Sequence, residues 1–129
     1  MKQHELSLKF QSVFQTAIDG IILINSRGLI EEVNDSALKL FGYEKEEILG
    51  KNVNVLMPEP DHSRHDKYVS DYLTTRIPKI IGIGREVKGK KKDGSVFPFR
   101  LAVSEVILDD QTIFTGFIHD LTKKRKAQD

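Results

Sequence analysis

The chain has 129 residues and among them no cysteine and no tryptophan. Without cysteine there is no disulfide, no thiolate metal ligand, no cysteinyl nucleophile or adduct and no covalent CxxCH haem attachment. No apolar run approaches the roughly 20 residues that span a bilayer. The start, MKQHELSLKFQ, is too polar for a secretory signal, so a cytoplasmic location is expected. Neither sign of charge dominates: 20 Lys+Arg stand against 19 Asp+Glu, and a nucleic-acid binder usually carries a basic excess. The length suits one compact domain. Only His4, His62, His65 and His119 remain as nitrogen ligands.

What is present reads as a mixed α+β chain. Residues 3–17 form an amphipathic pattern, with Leu6, Phe10, Val13 and Phe14 on one helical face. Such a helix lies on the core or forms a dimer contact at the start of a signalling module. Two apolar runs, near 20–26 and 29–33, flank Ser26-Arg27-Gly28 and predict a hairpin. In NDSALKLFGY, Asn34 or Asp35 caps a short helix and Gly42 ends it. EKEEILG repeats the device: an acidic first turn suits the helix dipole and Gly50 stops it. A turn or single helical turn fills the span from Lys51 to Pro58.

PDHSRHDKYVSDYLTT predicts a longer helix, since Pro60 is tolerated in a first turn. His65, Tyr68, Val69, Tyr72 and Leu73 share one face, and His62 sits one turn earlier on nearly the same face. Three strand-like runs follow, near 80–91, 96–108 and 111–121, divided by Lys92-Asp93-Gly94-Ser95 and Asp109-Asp110. Phe97, Phe99, Leu101 and Val103 alternate with less apolar residues, a period of two with one apolar face. Pro98 predicts an edge or bulge nearby. The predicted fold is five antiparallel strands with helices on one face, leaving room for a ligand between helix and sheet.

Spacing alone leaves His62 and His65 equal. Histidines at i and i+3 can share a zinc ion, but a structural site takes four ligands and Asp61 or Asp66 would have to complete it. No HExxH pattern is present. No nucleophile–base pair or catalytic carboxylate pair stands out, so the domain is read as sensory and not as an enzyme. KKKDG lacks the glycine spacing of a phosphate loop and is read as a solvated turn. His119, beside Asp120, is structural or part of the exit toward a following domain.

Four stretches carry a resemblance: NDSALKLFGYEKEEILGKNVNVLMPEP, HDKY, IIGIGREVKGKKKDGSVFPFRLAVSE and FTGFIHDLT. They resemble the PAS fold, and within it the haem-binding PAS domain of FixL-type oxygen-sensor histidine kinases. The resemblance covers most of residues 18–122, with residues 1–17 a flanking helix and 123–129 a basic linker to an output domain.

The resemblance implies haem b, with His65 as the proximal iron ligand and Tyr68 packed near it. It makes Arg85 the distal arginine, and it makes Ile80, Ile83, Leu101 and Val103 the apolar distal wall. Lys79 stands where a family member has a histidine near a haem propionate. Asp71 stands where the family helix carries a propionate-binding arginine, so Lys79, Arg85 or His62 takes over that charge and Lys67 offsets Asp71. A guanidinium is a permanent donor and favours O2 over the less polar CO; unliganded, it can turn to a propionate instead. The implied function is detection of O2 or another diatomic gas, relayed through a homodimer to a histidine kinase or cyclic-dinucleotide output. Two other functions fit the same pattern: a haem-free PAS dimerisation and relay module, or a PAS domain that binds a flavin or small metabolite.

Overall fold

The computed structural model describes residues 2–59 and 85–122. Helix α1 (Lys2–Thr16) leads into strands β1 (Gly20–Asn25) and β2 (Ile30–Val33). Two short helices follow, α2 (Asp35–Phe41) and α3 (Lys45–Ile48), and a single 3-10 turn over Val53–Leu56. Strands β3 (Arg85–Lys90), β4 (Val96–Leu108) and β5 (Gln111–Asp120) complete one antiparallel sheet in the order β2-β1-β5-β4-β3. The expected α+β architecture is therefore observed. The expected helix over PDHSRHDKYVSDYLTT and the start of the run near 80–91 lie outside the described residues.

Local chemistry explains most of these boundaries. Asn25 turns the β1–β2 hairpin, because its Oδ1 accepts from the N–H groups of Arg27 (2.9 Å) and Leu29 (3.1 Å). Of the two possible caps for α2, the structure selects Asn34, whose side chain accepts from the Ala37 N–H. Gly42 closes the helix in the left-handed region, φ 81°, where a side chain would be strained, and its N–H donates to Leu38 O. Helix α3 starts with a reciprocal capping box between Glu44 and Glu47.

The core lies on one sheet face. Ile22, Ile24, Phe97, Phe99, Phe114 and Ile118 from the sheet meet Ala37, Phe41, Ile48, Val53 and Leu56 from the helical segment. Phe41 packs edge-on against Phe97 and Phe99, with ring centroids 5.3 and 6.1 Å away. Burying such a ring fully contributes about 2–3 kcal/mol. Gly89 makes room for this cluster: a Cβ there would lie 2.8 Å from the Phe99 ring and 3.0 Å from those of Phe41 and Phe97. The edge strands are guarded by charge, Glu31 and Glu32 on β2 and Arg85, Glu86 and Lys88 on β3.

One expectation needs correction. Pro98 does not lie on an edge strand, since β4 runs between β5 and β3. Its carbonyl accepts from Leu121 N–H at 3.2 Å, so its missing N–H faces the β5 side, just beyond the last ladder pair, Phe99 with Asp120. The missing donor therefore falls at the end of the β4–β5 pairing and interrupts nothing within the ladder. Helix α1 packs on the core through Phe14, which is buried, while Phe10 stacks on Phe14 at 5.4 Å and remains half-exposed. Val13, on the same helical face by periodicity, is 70% exposed, so of the two readings of this helix, core contact and dimer contact, its end serves the first and leaves the second open. Among its described side chains, the helix touches the domain by its last turns.

Asn34 ties these pieces together. It is fully buried, and its Oδ1 accepts from Ile21 N–H (2.9 Å) and Ala37 N–H (3.1 Å). Its Nδ2 donates to Phe14 O (2.9 Å) and Asp19 O (3.1 Å). Substitution Asn34→Ala strands these four backbone groups and should lower the unfolding free energy by roughly 2–4 kcal/mol in urea denaturation. A loss below about 1 kcal/mol would show the network to be dispensable.

Candidate functional site

The core face of the sheet has two unlike ends. At one end Gly89, Phe97, Phe99 and Phe41 fill the space between sheet and helix completely. At the other, Leu101 and Val103 occupy the same face of β4 and are only half-buried. They pair across β5 with Ile118 and Gly116. A Cβ at Gly116 would make ordinary contacts among the described residues, with Leu101 Cδ1 at 3.6 Å and Ile22 O at 3.8 Å.

Arg85 begins β3 directly opposite Leu101, and the register puts both on the core face. Its side chain is exposed, and it forms no ion pair with another described residue. Its strand neighbour Glu86 stands opposite Arg100, and Glu105 stands opposite Phe114. The structure thus joins three residues singled out from the sequence, Arg85, Leu101 and Val103, in one row. His65, Tyr68, Lys79, Ile80 and Ile83 lie outside the described residues, as do His62, Lys67 and Asp71.

An apolar floor with one guanidinium at its rim suits a flat, largely apolar group that carries acidic substituents. The floor supplies dispersion contact and excludes water, and the guanidinium supplies a fixed donor fork. These residues therefore fit a haem on one wall. Gly116 escaped notice in the sequence, although a glycine inside the strand FTGFI is the usual mark of a close approach.

The filled end is clamped from outside. Lys92 Nζ bonds Glu47 Oε2 at 2.5 Å, and the Lys92 N–H donates to Phe41 O at 2.9 Å. The β3–β4 turn is thereby held to α2 and α3, a link between residues 45 apart that no local pattern reveals. The turn itself is tightened by Asp93, whose Oδ1 accepts from Ser95 N–H and Oγ; these bonds hold its carboxyl below the ordinary range. The Glu44 backbone N–H, and then Lys92, likewise hold the Glu47 carboxyl below its ordinary value. Glu47 in turn holds the Lys92 ammonium above its own.

The direction of these shifts sets a pH window. A lowered carboxyl stabilises the fold above its unfolded titration and loses that contribution as pH falls through the folded value. A raised ammonium contributes fully below its unfolded titration and loses the contribution as pH rises through the folded value. The clamp is therefore complete from about pH 5 to pH 10. Glu47→Gln should lower the urea midpoint at pH 7, and the difference from the unsubstituted chain should shrink by pH 3. A difference that stays constant across that range would remove the carboxylate from the account.

A family model described as the PAS fold matches residues 8–121. Sensor protein FixL of Bradyrhizobium diazoefficiens is 47% identical over 118 residues, which is 92% of this chain and 23% of FixL. Oxygen sensor protein DosP of Escherichia coli is 31% identical over 101 residues, 78% of this chain and 13% of DosP. The chain thus spans a quarter or less of these relatives. Among solved structures, the PAS domain of a protein from Colwellia psychrerythraea superposes with a TM-score of 0.75 at 21% identity, covering 92% of this chain and 98% of that one.

Proposed function

The chain belongs to the PAS family, and from that premise we propose that it is a haem b-binding sensor domain for O2 or another diatomic gas. The observation that carries this reading is the row formed by Arg85, Leu101 and Val103: an exposed guanidinium, with no ion pair to another described residue, at the rim of a half-buried apolar floor. The identity to FixL and the name of DosP as an oxygen sensor support the same reading. His65 is assigned as the iron ligand, with Tyr68 beside it. Ile80 and Ile83 join Leu101 and Val103 in the apolar wall, and Lys79 or Arg85 answers the propionates.

Bound haem would supply an iron that takes a diatomic gas reversibly. Everything else falls to the chain. Leu101 and Val103 keep water from the distal side, which slows oxidation of ferrous iron. Arg85 holds a permanent charge and five N–H donors, so it favours the polar ligand O2 over CO. In this reading it exchanges between gas and propionate. That exchange gives two states with different contacts, as a ligand-driven switch requires.

The signal passes to an output domain, a histidine kinase or a cyclic-dinucleotide enzyme, beyond the basic linker at 123–129. The domain, taken as residues 18–122, is sensory and not catalytic. Residues 1–17 form the flanking helix, and a homodimer through it is supported by Leu8, Phe10 and Val13, which are 53%, 52% and 70% exposed. Among the described residues no helix is long and apolar enough to cross a membrane, and a cytoplasmic place is proposed.

Reconstitution with haemin followed by reduction tests the reading. An intense Soret band that shifts with O2 and CO is expected, and failure to bind haem at micromolar concentration overturns it. His65→Ala should abolish the five-coordinate ferrous spectrum while His62→Ala leaves it. Arg85→Ala should weaken O2 binding by roughly tenfold or more, as expected for a charged hydrogen bond, and CO much less. Equal losses for the two gases would refute the role of Arg85.

A further inference from the structure

A strand interior is a poor place for glycine, which loses more backbone freedom on folding than any other residue and packs nothing. It persists there for a left-handed backbone, for a bulge, or for the close approach of other atoms. Gly20 and Gly89 show the last of these. A Cβ at Gly20 would lie 3.2 Å from both Cα and Cβ of Ala37, where β1 meets α2. A Cβ at Gly89 would lie 2.8 Å from the Phe99 ring.

Gly116 has none of these reasons among the described residues. It lies inside β5, the central strand of the sheet. Its φ is not in the left-handed region. Both ladders pass through it without a bulge, pairing it with Ile22 of β1 and with Val103 of β4. A Cβ there would make ordinary contacts with Leu101 Cδ1 and Ile22 O, which a strand accommodates.

Its position joins this glycine to the candidate site. Along β5 it alternates with Phe114 and Ile118 on the core face. Those two are 2% and 4% exposed, whereas Gly116 between them is only half-buried. Its partner Val103 and its neighbour Leu101 are the half-buried pair of the apolar row.

We propose that Gly116 is a binding residue of the candidate site, kept without a side chain so that the bound group can lie against the backbone of β5 beside Leu101 and Val103. The inference rests on the sensor reading and adds the residue that sets how closely the ligand approaches the sheet. A methyl group at this point suits the strand and crowds the ligand. Stability without ligand and affinity for ligand should therefore move in opposite directions. That opposition separates a glycine that serves the ligand from one that serves the frame.

Urea denaturation of the ligand-free chain and titration with haemin read the two sides separately. Gly116→Ala should raise the urea midpoint by up to about 0.5 M, as removal of a strand glycine does. The same substitution should weaken haemin binding about fivefold or more, as overpacking by one carbon does. Gly89→Ala, placed where rings already fill the space, should lower the midpoint instead. Thr115→Val, one residue away on the outer face, should leave haemin binding unchanged. A lowered midpoint in Gly116→Ala overturns the inference, because the fold itself then demands glycine. An equal loss of affinity in Thr115→Val overturns it as well, since the effect is then not one of contact. Unchanged haemin affinity in Gly116→Ala overturns it and leaves the sensor reading standing, whereas a chain that binds no haemin with Gly116 in place overturns both.

Discussion

The side-chain amide of Asn34 is the contact on which the arrangement depends. An asparagine amide has two donors and two lone pairs, and here all four are spent on backbone groups of different segments. One bond caps α2, one fixes the start of β1, and two hold the end of α1 and the loop after it. The backbone of Asn34 adds a ladder bond to Ile21 and the first helical bond from Leu38. Buried polar groups are costly when half-satisfied and specifying when fully satisfied. No apolar residue could do this work, because packing alone has no direction. The same residue reaches the surface: Asp19, whose carbonyl accepts from Asn34, has its carboxylate 2.9 Å from His119 Nδ1.

Much of this fold was legible because its signals are local. Caps, turns and period-two alternation each depend on residues within a few positions, so Gly42, the turn at Asp93-Gly94 and the apolar face of β4 could be read directly. The choice of Asn34 over Asp35 as cap could not, since it turned on bonds to Phe14 and Asp19, 20 and 15 residues away. Pro98 misled for a related reason. Its tolerance comes from where a neighbouring strand stops, which is a fact of assembly. The pattern of α1 was sound as periodicity, yet periodicity says which residues share a face and not what covers it. Of the candidate site, the row across β3 and β4 followed from alternation, whereas Gly116 gained meaning only once Val103 stood opposite it.

Under the proposed function, the two ends of the core face divide stability from binding. Around Phe41 the packing is so close that Gly89 cannot carry a methyl group without displacing a ring. That end, clamped by Lys92 and Glu47, is a fixed support. The Leu101–Val103 end has apolar surface of the same chemical kind without the same coverage. A rigid support beside an adjustable surface is what a sensor needs: displacement at one end is not absorbed by collapse at the other, since close-packed interiors transmit strain.

Arg85 gives the sharpest contrast between what a fold requires and what a site requires. A position on the core face beside Leu101 would be well served, for stability alone, by a valine or isoleucine, which suits a strand and buries apolar area. The arginine there buries little and pairs with no described residue, and its position at the start of the strand demands no particular side chain. A charge on an edge strand does discourage stray pairing, but Glu86 and Lys88 already supply that on the same strand. The core frame tolerates wide change in sequence, as the superposition at 21% identity shows. A guanidinium facing an apolar row is therefore not explained by the frame. It is what the proposed ligand would call for, entering the row with a negative or strongly polar group directed at β3.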